Sequence, residues 1–164
     1  MRLIEAIKEK YGYLDPGNTF INAYDFIHAG GTPVDALLYY ELFCPRFEEV
    51  QNCVLLSSSL EVDGVKDSFA ELLSTYKEGS MSREEFQQSV YAYAYEEILF
   101  MFNDRDCSEE AIYYLAHLIA GSWRAQLAYQ FPQYSFEIVV KPNKPNEHEL
   151  GPMVCIQQNL DHIK

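Results

Sequence analysis

The sequence has few basic residues. Only 12 of its 164 residues are lysine or arginine, against 25 aspartates and glutamates, and the formal net charge is −13. A charge of this size and sign repels phosphate backbones and anionic lipid headgroups. We therefore expect no direct binding to nucleic acid or to a membrane surface, and a basic protein is the complementary partner.

The features of secreted, membrane and zinc-binding proteins are also missing. The four cysteines, Cys44, Cys53, Cys107 and Cys155, include no C-x-x-C pair and no zinc-ligand spacing. The N-terminus becomes charged before an apolar signal core could form, and no apolar run reaches the roughly 20 residues that a membrane span needs. These absences predict a cytoplasmic protein whose thiols are free.

Motifs for catalysis and for cofactor binding are missing as well. The string Ala120-Gly121-Ser122-Trp123 lacks the second glycine of a nucleophile elbow and lies within a predicted helix. No glycine-rich phosphate loop is present, and residues 103–106 lack the later glycine and glutamate of a calcium loop. We therefore expect no enzymatic activity, no cofactor and no metal.

Apolar residues are plentiful enough for one core. Hydrophobic residues make up 48% of the chain and aromatic residues 15%, including 13 tyrosines. A chain of this length buries most of its apolar surface in one domain, so we predict a single domain over residues 1–164.

Helical periodicity, capping residues and stop signals predict that most of the chain is helical. Ser82 begins a capping box that ends at Glu85, and Ser108 caps the helix that ends before Pro132. The predicted helices cover residues 2–11, 18–30, 33–43, 63–78, 83–102 and 109–130.

Two segments near the C-terminus have the pattern of strands. Residues 136–140 and 153–156 are rich in β-branched residues and are separated by a Pro/Asn/Gly-rich segment, which predicts an antiparallel hairpin with a long loop. Residues 47–56 are ambiguous, but 53–56 resembles a short buried strand that could extend this sheet. The predicted class is α+β and mainly helical: five or six packed helices with a small antiparallel β-sheet.

One carboxylate lies in an apolar environment on the predicted helix over 83–102. At helical spacing Glu97 falls among Tyr93, Phe100 and Met101, where burial would raise its pKa. On the following helix His117 and Arg124 share a side with the small residue Gly121. Glu97, His117 and Arg124 could therefore line an interhelical pocket for a small molecule or for an enzymatic reaction. The alternative is a structural glutamate beside closely packed helices.

The negative charge is concentrated in two blocks. Residues 11–65 contain eight acids and one base, and residues 84–123 contain eight acids and one base. Such blocks are typical of an electrostatic docking surface, although they also serve solubility. The predicted partner-binding residues are Glu48, Glu49, Glu96, Asp104, Asp106, Glu109 and Glu110.

The sequence thus favours a non-enzymatic acidic binding protein that neutralises or scaffolds a basic protein, in the manner of an immunity protein or an antitoxin-like inhibitor. The alternative is the small-molecule-binding protein or enzyme with the pocket around Glu97. A third interpretation is a subunit that buries tyrosine-rich faces in a homodimer.

Overall fold

The computed structural model describes residues 8, 12–14, 16–19, 29–30, 33–61, 63–91, 94–97, 108–142 and 151–160. For residues 34–38, 91 and 95–97 the description covers the backbone. A short 3₁₀ helix spans Gly12–Leu14. The predicted helices over 2–11 and 18–30 lie largely outside the described residues.

Five α-helices and five strands lie within the described residues. The helices are α1 (Pro33–Phe43), α2 (Ser57–Leu60), α3 (Val65–Lys77), α4 (Arg83–Tyr91) and α5 (Glu109–Gln130). The strands are β1 (Phe47–Val50), β2 (Cys53–Leu56), β3 (Tyr95–Glu97), β4 (Phe136–Lys141) and β5 (Met153–Gln158). The predicted α+β class is confirmed.

The first sheet is a hairpin in which β1 pairs antiparallel with β2. Its two-residue connection has positive φ at both positions, 49° at Gln51 and 70° at Asn52, as a type I′ turn requires. The residues of β2 are all buried. The expectation that the strand near residue 54 extends the C-terminal sheet is wrong, because β2 uses its backbone groups to pair with β1.

The second sheet has three antiparallel strands in the order β3-β5-β4. The pairing of β4 with β5 confirms the predicted C-terminal hairpin. On the other side of β5, Tyr95 lies opposite Cys155 and Glu97 lies opposite Met153. The last described strand is therefore the central one.

The predicted helix over 83–102 is wrong at residues 94–97, the described part of that range that follows Tyr91. Residues 91–95 have the sequence Tyr-Ala-Tyr-Ala-Tyr, a two-residue alternation that suits a strand as well as a helix. The edge of β5 offers backbone partners to this segment, and the amide of Ile156 donates a hydrogen bond of 2.8 Å to the carbonyl of Ala94. Pairing with a distant strand thus overrides the local helical pattern.

The core forms where α5 packs on β4, β5 and α1. One side of α5 lies in this core, with Ile112, Ile119 and Trp123 among its buried residues. The indole Nε1 of Trp123 donates to the carbonyl of Leu42 at 2.9 Å, so α5 also satisfies a carbonyl at the end of α1.

A buried glutamine joins the two sheets. Gln158 is 5% exposed. Its side-chain oxygen accepts a hydrogen bond from the amide of Val54, and its nitrogen donates to the carbonyl of Asn52, both at 2.8 Å. Because both ends of the amide are bonded, the burial cost of this polar side chain is offset and the hairpin is held against β5.

Both predicted helix caps are confirmed. The Ser82 amide donates to the Glu85 carboxylate at 2.8 Å, and the Glu85 amide donates to the Ser82 hydroxyl at 3.2 Å. These bonds lower the pKa of Glu85. At the start of α5 the Ser108 hydroxyl accepts a hydrogen bond from the amide of Ala111 at 3.3 Å.

Candidate functional site

The two predicted partner-binding acids on β1 have partners within the chain. Glu48 accepts an ion-paired hydrogen bond of 3.2 Å from Lys66 at the start of α3. Glu49 accepts a 2.7 Å hydrogen bond from the hydroxyl of Tyr134, and this bond raises the pKa of the tyrosine. Part of the charge of β1 therefore serves contacts between elements.

The predicted acids of the second block lie in three situations. Glu109 and Glu110 are exposed in the first turn of α5, where they favour the helix dipole. Glu96 lies in β3 opposite Val154. Asp104 and Asp106 lie outside the described residues. Glu109 and Glu110 thus lie in the same helical turn, whereas Glu48 and Glu49 are successive residues of β1, whose side chains point to opposite faces of the hairpin.

The residues of the predicted pocket do not have the predicted helical setting. Glu97 lies in β3 rather than on a long helix, so the helical spacing that placed it among Phe100 and Met101 does not apply. His117 and Arg124 lie on exposed turns of α5. The Arg124 guanidinium donates to the carbonyl of Ile138 on β4 at 3.2 Å, which gives it a structural contact.

A small pocket lies elsewhere, between the end of α1 and the start of α2. Its volume is about 110 Å³. An ion pair of 3.2 Å between Arg46 and Glu61 forms part of its wall. The pocket has room for a few water molecules and is smaller than the cavities that hold drug-sized ligands. Its lining residues are Glu41, Leu42, Pro45, Arg46, Ser57, Ser58, Glu61 and Trp123.

The three cysteines in the described residues, Cys44, Cys53 and Cys155, are free thiols. Burial raises the pKa of Cys53 to about 12 and also raises the pKa of Cys155. A protonated thiol is a weak nucleophile, so these two residues are suited to packing rather than to covalent catalysis. Cys107 lies outside the described part of the chain.

The structure reveals an acidic surface that the sequence blocks do not show. Asp67, Glu71 and Glu78 are exposed on α3 and its C-cap, on the side opposite the buried Phe69 and Leu73. We call these three acids the α3 ridge. Residues four and seven positions apart lie on one face of a helix, so their charges are neighbours.

The two lysines of α3 lie beside the ridge rather than on it. Lys66 bonds to Glu48 on β1, and Lys77 donates to the side chain of Gln51 in the hairpin turn at 3.2 Å. Both cations therefore hold the hairpin, and the ridge keeps its negative charge.

Two features of the ridge are unfavourable for the helix itself. Asp67 and Glu71 are like charges at i and i+4, which destabilises a helix by about 0.2–0.5 kcal/mol, although Asp67 lies in the first turn, where the helix dipole favours an anion. Glu78 lies at the C-cap, where the helix dipole disfavours an anion, although the Ser74 hydroxyl donates to it at 2.9 Å. Acids that oppose local stability are candidates for a binding role.

The ridge is not visible in the net charge of sequence segments. Residues 66–83 contain three acids and three bases, so the charges of this segment cancel. A helical projection of 65–78 would have found it, since it separates Asp67, Glu71 and Glu78 from both lysines.

Within the described segments, no three His, Cys, Asp or Glu side chains lie together in a way that could hold a metal ion. No helix in the same residues is both long and apolar enough to cross a bilayer. The sequence matches no family model, no curated protein and no solved structure.

Proposed function

We propose that the protein is a non-enzymatic binding module that docks a basic protein, as an immunity protein or an antitoxin-like inhibitor does. The observation that carries this proposal is the α3 ridge, three exposed acids on one helix face with both neighbouring lysines engaged by the hairpin. A lysine- or arginine-rich surface would complement this face and would remove the repulsion between Asp67 and Glu71.

The acids Glu109 and Glu110 form a second negative site at the start of α5. They also favour the helix dipole, so their charge has a local explanation that Glu71 and Glu78 lack. We therefore assign the main docking role to the α3 ridge and a supporting role to Glu109 and Glu110.

The test compares charge reversals at matched positions. Asp67→Lys with Glu71→Lys changes the ridge, and Glu84→Lys with Glu137→Lys is the control. The control pair reverses two exposed acids on α4 and β4 and gives the same change in net charge. A third variant, Glu109→Lys with Glu110→Lys, tests the supporting site. Quantitative affinity capture from source cells with each protein identifies ligands that depend on the ridge, and each captured ligand is then purified.

With the purified ligand, the ridge variant should associate at least about tenfold more slowly than the control at low salt, because exposed charges act mainly on the association rate. Moderate salt should reduce the difference. Equal association rates for the ridge variant, the control and the unmodified protein would contradict the proposal.

A further inference from the structure

The pocket between the end of α1 and the start of α2 has a buried apolar floor and an acidic rim. Leu42 and Trp123 are 5% and 1% exposed and form the floor. Glu41 and Glu61 are exposed at the rim, and the Arg46 guanidinium lies 3.2 Å from the Glu61 carboxylate. The ionisable side chains of the lining are thus two acids and one base, which leaves an excess of negative charge.

Hydrogen bonds within the chain fix the shape of the pocket. The Trp123 indole donates to the Leu42 carbonyl, and the amide of Ser57 donates to the Arg46 carbonyl, both at 2.9 Å. The first bond joins α5 to α1, and the second joins the start of α2 to the residue before β1. A group can therefore enter the pocket with little rearrangement of the backbone, which lowers the entropic cost of binding.

The size and the lining of the pocket select one kind of occupant. A volume of about 110 Å³ is below that of ordinary ligand cavities and suits a single side chain. Lysine combines an apolar four-carbon stem, which suits the floor, with a compact ammonium, which suits the rim. The guanidinium of arginine is planar and broader. We infer that the pocket receives one lysine side chain of the basic protein, an inference that rests on the proposed function and gives the docking surface an anchor.

The ion pair between Arg46 and Glu61 supports a cation as the occupant. A guanidinium of the chain itself already binds at the rim, so positive charge is favoured there. The two side chains are 73% and 65% exposed, so water screens their attraction and the pair is weak. An incoming ammonium can therefore replace Arg46 at Glu61, and Arg46 acts as an internal competitor for the site.

The pocket is continuous with the proposed docking surface. Arg46 and Glu48 lie two residues apart, and they bond to Glu61 and Lys66 on either side of the start of α3. Lys66 directly precedes Asp67, the first acid of the α3 ridge. A basic surface that contacts the ridge therefore has a place for one of its lysines a short distance away.

The test uses n-butylammonium chloride, which has the stem and the charged end of a lysine side chain. It is titrated to about 200 mM into the ¹⁵N-labelled full chain at constant ionic strength. The chain contains one tryptophan, so the indole N–H of Trp123 gives a single resonance that reports on the floor of the pocket. This resonance should shift saturably, with a dissociation constant below about 100 mM. The neutral n-butanol and the broader n-propylguanidinium should each shift it less at equal concentration.

Two variants locate the site, and the second ion pair of the same length supplies their controls. Glu61→Gln should raise the dissociation constant at least about threefold, because it removes a carboxylate from the rim. Arg46→Ala should lower it at least about twofold, because it removes the competing cation. Glu48→Gln and Lys66→Ala make the same changes in net charge at the other exposed pair and should leave the dissociation constant close to that of the unmodified protein. Far-ultraviolet circular dichroism checks that all four variants fold.

The absence of a saturable shift, an equal shift with n-butanol, or equal effects of Glu61→Gln and Glu48→Gln would each overturn the inference. A larger shift with n-propylguanidinium than with n-butylammonium would overturn the choice of lysine. The probe binds without the basic protein, so failure of the pocket leaves the association rates of the ridge variants unchanged. Failure of the ridge variants likewise leaves the shift of Trp123 unchanged, and the two failures are therefore distinguishable.

Discussion

Gln158 and Cys53 are two buried side chains whose environments affect the stability of the fold. The side-chain amide of Gln158 links the two sheets in place of hydrogen bonds between strands, because it bonds to one backbone amide and one backbone carbonyl of the hairpin. Cys53 begins β2 at 0% exposure, so its thiol is sealed from water. The environment of Gln158 is not visible from local sequence, because its partners Asn52 and Val54 lie more than a hundred positions away.

The buried thiol makes stability depend on alkaline pH. Burial raises the pKa of Cys53 from 9.0 to about 12, so the folded chain keeps this proton while the unfolded chain loses it. The contribution is fully present below about pH 9 and is lost as the pH rises towards 12, with a slope of up to about 1.4 kcal/mol per pH unit. Urea melts of the unmodified protein and of Cys53→Ala at several pH values measure it. The unmodified protein should lose stability more steeply above pH 9, and parallel profiles would refute the assignment.

At the scale of the elements, the sequence predicted correctly those helices whose ends and apolar periodicity are determined by residues within the segment itself. Helices α1, α3 and α5 agree with the predicted ranges because caps, periodic apolar residues and stop signals lie within each segment. The helix over 83–102 was predicted on the same kind of evidence and is wrong at residues 94–97, because β5 supplies backbone partners that a local pattern cannot reveal. The same holds for the candidate site. The exposure of Glu109 and Glu110 could be predicted from their position at the start of a helix, whereas the α3 ridge could be recognised only by projecting the residues of α3 onto a helix face.

The hairpin turn offers a second prediction. Gln51 has a φ of 49°, a conformation that disfavours most side chains but suits asparagine and glycine. Gln51→Asn should therefore stabilise the protein by about 0.5–1 kcal/mol, with little loss from its exposed hydrogen bond to Lys77. Gln51→Val should destabilise it, because a β-branched residue fits this region poorly. Urea denaturation measures both changes, and an unchanged or lower midpoint for Gln51→Asn would contradict the turn geometry.

At the scale of the whole molecule, the excess of negative charge should lower the stability of the monomer at low salt. The chain carries −13, and the α3 ridge concentrates three of these charges on one face. Glu71→Lys replaces the repulsion between Asp67 and Glu71 with an attraction between opposite charges at i and i+4, and it adds a base to an acidic chain. The variant should melt above the unmodified protein in dilute buffer.

Thermal melts between low and moderate salt check this expectation. The advantage of the variant should be about 0.5–1 kcal/mol at low salt and should shrink as salt screens exposed charges. A variant that is less stable than the unmodified protein at every salt concentration would instead assign Glu71 a structural role.

The position of β5 in its sheet has a consequence for folding in the cell. It is the central strand, it pairs with β3 and β4, and Gln158 at its end holds the hairpin, yet its residues are the last of the described strands to leave the ribosome. Earlier elements can form helices and the hairpin during synthesis, but β3 and β4 have no common partner until residues 153–158 emerge. Until then, the side of α5 that packs on the sheet remains exposed to water in the nascent chain. We therefore expect the long-range pairing of β3 with β5 to be a late step of folding.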